Sequence, residues 1–236
     1  MQRYFANIIN NQVMLSKDDE HHLLHVMRMR PCGEIEVVDQ GQLFLCRIDS
    51  VSPLKISIIH EIKSDVELES EITLLFALTK GDKTDLVLQK ATELGVKKVA
   101  LIESERTVVT FENKDKEKKL ARFNKIMKEA SEQSHRLVVP ELLGIFKLNN
   151  LPTICLSDLN YVAYEKDAGN TDGAFKEVKK GQSITILVGP EGGFSTNEID
   201  ALTKLGFIRT SLGKRILRAE TAAIYALSVL GYLLEK

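Results

Sequence analysis

Short alternations of apolar and polar residues fill the first part of the chain, over residues 3–9, 12–15, 34–39, 42–51 and 55–62. Such period-two patterning is the mark of strands with one buried face. Gln40-Gly41 supplies a turn between two of these segments, as in an antiparallel hairpin. The pattern predicts a small antiparallel barrel interrupted by one helix. Ser16 is placed to cap that helix, Leu23, Leu24 and Met27 give it an apolar face, and Arg30-Pro31 marks its end.

Between Lys63 and Glu71 charges dominate and the apolar pattern lapses, which predicts a linker there. From Ile72 onward the order changes to strand alternating with helix, the signature of an α/β layered architecture. Strands are predicted over residues 72–78, 98–102, 153–157 and 161–164. A helix over residues 84–94 is terminated by Gly95, and a long one over residues 113–136 turns Leu120, Phe123, Ile126, Met127 and Ala130 to the core. The opposite face of that long helix carries Lys114, Lys116, Lys118, Lys119, Lys125 and Lys128, a pattern usual for a solvated face and also open to RNA contact. The polar, glycine-containing stretch 166–173 reads as a mobile loop.

Two apolar segments near the carboxyl end are each followed by an unusual loop. Residues 184–188 break into Gly189-Pro190-Glu191-Gly192-Gly193, and residues 207–212 into Gly213-Lys214-Arg215-Ile216-Leu217-Arg218. After the first loop, Ser195 and Glu198 have capping-box spacing, and Ile199, Leu202 and Leu205 recur on one helical face up to Gly206. After the second, Thr221 is placed to cap a helix over residues 222–234. Strand, glycine loop and helix thus occur twice in succession, and in open α/β sheets ligands bind beyond the carboxyl ends of strands.

The common phosphate motifs do not fit these loops. A Walker loop fails because Arg215 follows Gly213-Lys214 and Ile208 stands where the first glycine belongs. The dinucleotide fingerprint fails because the glycine order is wrong and Glu191 would sit beside any pyrophosphate. A cationic or zwitterionic nucleoside-like ligand fits better, with Leu187, Leu212 and Leu217 offering apolar walls and backbone amides.

Composition bounds the rest. The chain has 236 residues, of which 44% are hydrophobic, enough for one large core or two smaller ones. Its net charge of −1 gives no global electrostatic footprint of nucleic-acid binding. In residues 1–70 seven Lys or Arg face eleven Asp or Glu, so any RNA contact there must come from a local cluster, with Arg3, Arg28 and Arg30 as candidates. Cys32, Cys46 and Cys155 are isolated and odd in number, which argues against a disulfide framework or a metal site and for a reducing, cytoplasmic compartment. No targeting segment is visible, and the apolar run 222–234 is shorter than the roughly 20 residues needed to cross a bilayer. That run is predicted to be a buried helix, apolar enough on every side to meet a partner subunit as well. His21 and His25 stand one helical turn apart but lack further ligands, so no metal is expected.

The segments ILVGPEGGFSTNE and SLGKRILRAETAA, together with Arg3-Tyr4-Phe5, HHLLHVMRMRPCG, KGDKTDLVLQKATELGV, Glu105-Arg106 and EASEQSHRLVVP, resemble the SPOUT methyltransferases. The resemblance covers most of the chain and is specific to the RsmE-type enzymes, which methylate N3 of a uridine in 16S ribosomal RNA of the small subunit. It implies S-adenosylmethionine as methyl donor, a homodimer, and ribosomal RNA, within the assembled small subunit, as partner. It further implies a PUA-like RNA-binding barrel over residues 1–70 and a SPOUT methyltransferase domain with a deep trefoil knot over residues 71–236.

The donor site implied comprises Leu187, Val188, Gly189, Pro190, Glu191, Gly193, Leu212, Gly213, Ile216 and Leu217. Besides the three arginines named above, Lys80, Lys83, Arg106, Gln133 and Arg136 become the expected RNA contacts. Uridine N3 is protonated at neutral pH, so the site must remove a proton or stabilise charge on the ring oxygens. Arg218 is suited to hold the anionic uracil edge or a phosphate, and Glu220 either to accept the proton or to fix Arg218 by a salt bridge. Ribose 2′-O or guanosine methylation by the same fold, and a non-enzymatic RNA-binding or assembly role, are the alternatives.

Overall fold

The structure is a computed structural model that describes residues 1–109, 113–164 and 175–235. The stretch 166–173 expected to be a mobile loop, and the side chain of Lys114, lie outside the described residues. The chain divides into two compact units, one of residues 1–67 with 131–138, the other of residues 68–130 with 139–236. The division falls within the expected linker, but the first unit also takes a segment from the middle of the chain.

The first unit is a six-stranded sheet. Its strands are β1 (Arg3–Phe5), β2 (Asn7–Ile9), β3 (Gln12–Met14), β4 (Glu34–Asp39), β5 (Gln42–Val51) and β6 (Leu54–Ile62), in the order β1-β4-β5-β6-β3-β2. Only the β1–β4 pair is parallel. The alternation read from the sequence sends Ile35, Val37, Cys46, Ile48 and Ile56 into a common core with Tyr4 and Leu23. The two edge strands, β1 and β2, are joined by Ala6 alone, and the Ala6 amide donates to the Val38 carbonyl at 3.1 Å.

Ser16 caps helix α1 (Lys17–His21) as expected, accepting from the Asp19 amide. A π-helical turn over His22–Val26 then follows, so the helix does not continue to Pro31. The Met27 amide bonds back to the His22 carbonyl, five residues away, and this wider turn shifts the side-chain register. Leu23 stays buried while Met27, expected on the core face, is exposed. His21 and His25 place their ring centroids 4.7 Å apart.

Arg3 and Arg136, expected at the RNA, are instead both 4% exposed and turned inward. Arg3 Nε and Nη2 lie 2.9 and 2.8 Å from Glu36 Oε2, and Nη1 donates to the carbonyls of His135 and Arg136. Arg136 grips Glu67 with two nitrogens, Nη2 to Oε2 at 2.7 Å and Nε to Oε1 at 3.3 Å, and Glu67 Oε1 also accepts from the Leu137 amide at 2.8 Å. Burying a guanidinium is tolerable only with such pairing. These two arginines therefore fasten residues 131–138 into the first unit.

The second unit is a parallel sheet of β7 (Glu71–Ala77), β8 (Lys98–Glu103), β9 (Glu141–Lys147), β10 (Leu159–Ala163), β11 (Ser183–Val188) and β12 (Phe207–Thr210), in the order β12-β10-β11-β7-β8-β9. β7 and β11 are near-continuous apolar runs, as strands covered on both faces must be. On one face Ile72, Leu74 and Phe76 meet Val87, Leu88 and Ala91 of α2 (Lys83–Glu93) and Ala223, Ala226 and Leu227 of α5 (Ala219–Glu235). Phe123 and Met127 of α3 (Asn113–Gln133) join the same core. On the other face Leu75 and Leu187 pack with Ile199 and Leu202 of α4 (Thr196–Lys204).

The predicted strand over 153–157 is a 3-10 turn, Thr153–Cys155, with Ile154 exposed. Pro152 fixes the entry, and its carbonyl accepts from the Cys155 amide at 2.9 Å, closing a turn where the β-branched residues suggested extension. β9 carries no clear period-two signal in the sequence, because Gly144, at φ +126°, interrupts its alternation and coincides with a register shift against β8. Helix α5 begins at Ala219, so Thr221 lies inside its first turn and does not cap it. The long helix α3 stops at Gln133, three residues before the expected end.

Two outcomes follow for stability and labelling. Arg3→Ala strands the Glu36 carboxylate beside His135, so it should destabilise the first unit by about 3 kcal/mol in urea unfolding, with Arg3→Lys recovering only part. Cys46 and Cys155 are buried with thiols pushed up to about 11 by that burial, whereas Cys32 is exposed. A thiol reagent should therefore modify Cys32 alone in the folded protein, and all three cysteines after denaturation.

Candidate functional site

The site is built where β11, β10 and β12 end side by side. β11 runs out at Val188 into Gly189, which is buried and faces the Phe194 ring: a Cβ on Gly189 would lie 2.9 Å from Phe194 Cε2. The Gly193 amide closes a turn onto the Pro190 carbonyl at 2.9 Å. The chain then enters α4 through a complete capping box, with Ser195 Oγ accepting from the Glu198 amide and Glu198 Oε2 from the Ser195 amide. At the second loop, Ser211 Oγ accepts from the Gly213 amide and donates to the Gly213 carbonyl, at 3.3 and 3.1 Å. Gly213 has φ +119°, a conformation that side chains rarely permit. The Arg218 carbonyl accepts the first helical bond of α5, from the Ala222 amide, at 2.8 Å.

A cavity of 430 Å³ lies between these loops, within the range of small-ligand sites. Val188, Gly189, Pro190, Glu191 and Gly193 line one side, and Leu212, Gly213, Ile216 and Leu217 the other. Leu187, expected among them, is not a lining residue but packs with Phe194 and Ile199 on the α4 face of the sheet. Sequence reasoning missed Ala163 and Tyr164 at the end of β10, which form the floor. Their strand was legible, but its place between β11 and β12 is a property of the sheet order. Ser211, Phe194, Arg215 and Ala222 also line the cavity, as residues beyond the carboxyl ends of parallel strands can.

Arg218 lines the cavity with its side chain exposed at the rim. Glu220 does not line it. Its Oε2 is buried and has no hydrogen-bond partner among the described residues, and its ion pair is with Lys83 Nζ at 3.5 Å, not with Arg218.

Residues that follow two earlier strands, Lys83 at the start of α2 and Arg106 in the loop after β8, hold the first glycine loop. Lys83 Nζ lies 2.8 Å from Glu191 Oε1. That hydrogen bond holds the Glu191 carboxyl below its usual range, with the Lys83 and Lys80 charges adding to it, and pulls the Lys83 ammonium up. Arg106 Nη1 donates to the Gly192 carbonyl at 2.7 Å, and its side chain lies against Gly192, where a Cβ would come within 3.3 Å of it. The Glu105 amide donates to Glu198 Oε1 at 2.8 Å. Lys83 and Arg106, both expected at the RNA, are thus engaged with the glycine loop, although Arg106 also stays exposed. Arg28, Arg30, Lys80 and Gln133 are exposed.

A larger hollow of 650 Å³ lies between the end of β8 and α4, lined by Glu103, Asn149 and Leu205 among others. The Glu198 carboxylate in its wall is already used by the amides of Ser195 and Glu105, and no glycine loop opens onto it. The strand-end cavity is the better site because backbone groups from two loops converge there. Among the described residues no group of three or more His, Cys, Asp or Glu is placed to hold a metal ion, and no helix is long and apolar enough to cross a membrane.

Residues 66–231, which include every residue lining the cavity, match the RNA methyltransferase domain family. The chain belongs to that family. Over 98% of its length it is 35% identical to the ribosomal RNA small subunit methyltransferase E of Bacillus subtilis, 96% of which is covered. Among solved structures, the ribosomal RNA small subunit methyltransferase E of Neisseria gonorrhoeae, bound to S-adenosyl methionine, superposes with a TM-score of 0.85 at 31% identity, covering 99% of this chain and 98% of that one. A methyltransferase of Legionella pneumophila, solved with the cofactor SAM, reaches a TM-score of 0.88 at 28% identity over 98% of this chain and 96% of that one. This RNA methyltransferase therefore shares its α/β fold along essentially the whole chain with enzymes that bind that donor.

Gly189→Ala tests the close approach that shapes the cavity. The new methyl group must displace the fully buried Phe194 ring, so the variant should lose about 1–3 kcal/mol in chemical denaturation. Adding Phe194→Leu should restore part of the loss.

Proposed function

We propose that this RNA methyltransferase transfers the methyl group of S-adenosylmethionine to N3 of a uridine in 16S ribosomal RNA of the small subunit. The observation that carries the reading is the cavity at the ends of β11, β10 and β12, walled by two glycine loops and bearing one carboxylate, Glu191, on its lining. When bound, S-adenosylmethionine supplies an electrophilic methyl carbon on a positively charged sulfur. Val188, Leu212 and Leu217 exclude water from the donor, which favours a step in which donor cation and acceptor anion neutralise each other. Arg218, at the cavity rim, holds the uracil edge and stabilises the negative charge that develops on its oxygens. Glu220, turned to Lys83 and away from the cavity, supports the start of α5 and acts on the N3 proton only through water or another group.

The remaining parts of the reading rest on the fold. A trefoil knot suits a sheet in which β11, late in the chain, lies between β7 and β10. A PUA-like barrel suits a six-stranded sheet whose two edges are joined through Ala6. Arg28, Arg30, Lys80, Arg106 and Gln133 are the side chains offered to RNA, and α3 presents further lysines. Tyr225, Tyr232 and Leu233, which are 45%, 61% and 41% exposed on α5, suit contact with a second copy in a homodimer. The assembled small subunit is the substrate and the cytoplasm the compartment, in keeping with three unpaired cysteines.

The test is methyl transfer from labelled S-adenosylmethionine to small subunits lacking the modification, followed by nucleoside mass spectrometry. N3-methyluridine is expected; a ribose 2′-O-methyl or a methylguanosine product would replace this reading with another of the same fold, and no product would remove it. In the same assay Arg218→Ala should lower kcat by about a hundredfold or more, with the affinity for S-adenosylmethionine changed less than about threefold.

A further inference from the structure

We propose that Lys83 is a charge-balancing residue of the donor site: shared between Glu191 and Glu220, its ammonium offsets the one carboxylate of a lining that also carries Arg215 and Arg218, so that the cavity discriminates less between the sulfonium donor and the neutral thioether product. This rests on the reading that the cavity takes S-adenosylmethionine. The geometry behind it is specific. Glu191 is a lining residue, its Oε1 is 2.8 Å from Lys83 Nζ, and the same ammonium stands 3.5 Å from the buried Oε2 of Glu220. Lys83 is the first residue of α2, the helix that follows β7, and is not a lining residue, so it acts on the ligand only through the carboxylates it faces. Arg106 fixes the backbone of the next residue through the Gly192 carbonyl, which keeps Glu191 from following a ligand freely.

The chemistry gives this balance a purpose. On methyl transfer the S–C bond breaks, sulfur keeps the electron pair, and the ligand loses one positive charge while keeping its shape. A lone carboxylate beside the cavity would favour the cation that enters over the neutral molecule that leaves, and would stabilise the ground state more than a transition state in which that charge is already dispersing. A carboxylate held by an ammonium discriminates much less. Both side chains are partly exposed, 33% for Lys83 and 45% for Glu191, so solvent screens the effect to a modest size.

Calorimetric titration of the full chain with S-adenosylmethionine and, separately, S-adenosylhomocysteine reads this without any turnover. The measured quantity is the ratio of the Kd for the thioether to the Kd for the sulfonium. Lys83→Gln should raise that ratio about threefold to tenfold, and Glu191→Gln should lower it below that of the unmodified protein. The double variant should return to within about twofold of the unmodified ratio, and Lys83→Arg should keep it. A Lys83→Gln ratio equal to that of the unmodified protein overturns the assignment, including the case in which both ligands weaken together, as a merely structural role would produce. Should Lys83→Gln fail to fold, Glu191→Gln decides alone, and an unmoved ratio there overturns it equally. An unmodified protein that binds neither ligand defeats the donor-site reading itself; one that binds both, with ratios unmoved by the variants, defeats only the role of Lys83.

Discussion

All six strands of the second unit run parallel, so all their carboxyl ends open along one edge of the sheet. Much of the functional site depends on this constraint. Loops that leave such strands must cross the same edge, and those that leave neighbouring strands must meet. β11 and β12 do not pair with each other but flank β10, whose end stops at Ala163 and leaves a floor between their loops. A hollow with backbone on two sides follows directly from that order. Glycine at 189 and 213 then decides its shape, by letting the Phe194 ring close over one loop and by giving the other a backbone conformation closed to larger residues.

The earlier loops of the sheet supply the charge. Lys83 follows β7 and Arg106 follows β8, and both reach the Glu191-Gly192 peptide region, one through a carboxylate and one through a carbonyl. A basic residue at the end of a parallel strand thus has two uses open to it, to meet a polyanion or to brace the neighbouring loop. Distance and partner distinguish them. For Lys83 the partners are two carboxylates, whereas Arg106 spends one nitrogen on a carbonyl and stays exposed.

Much of this arrangement is legible in the sequence, because the signals are local. The continuous apolar runs of β7 and β11, the Ser195 capping box and the Gly95 stop after α2 are each written within a few residues. Nine of the ten expected donor-site residues line the cavity for the same reason: they are the loops themselves. What was not legible is non-local. Arg3 and Arg136 look like surface charge until their carboxylates, 33 and 69 residues away, are brought to them. The position of β10 between two later strands leaves no trace in its own five residues. The π turn after His21 and the 3-10 turn after Pro152 are small departures in hydrogen bonding, and periodicity cannot resolve them.

The inclusion of residues 131–138 in the first unit bears on how the chain is made. Synthesis delivers all six strands of that unit by Ile62, yet the carbonyls that receive Arg3 and the guanidinium that grips Glu67 emerge only after α3 has been completed. The amino-terminal unit must therefore wait, incompletely neutralised, while the first two strands and two helices of the other unit leave the ribosome. A fragment cut after residue 67 would keep every strand of that sheet and still lack its fastening.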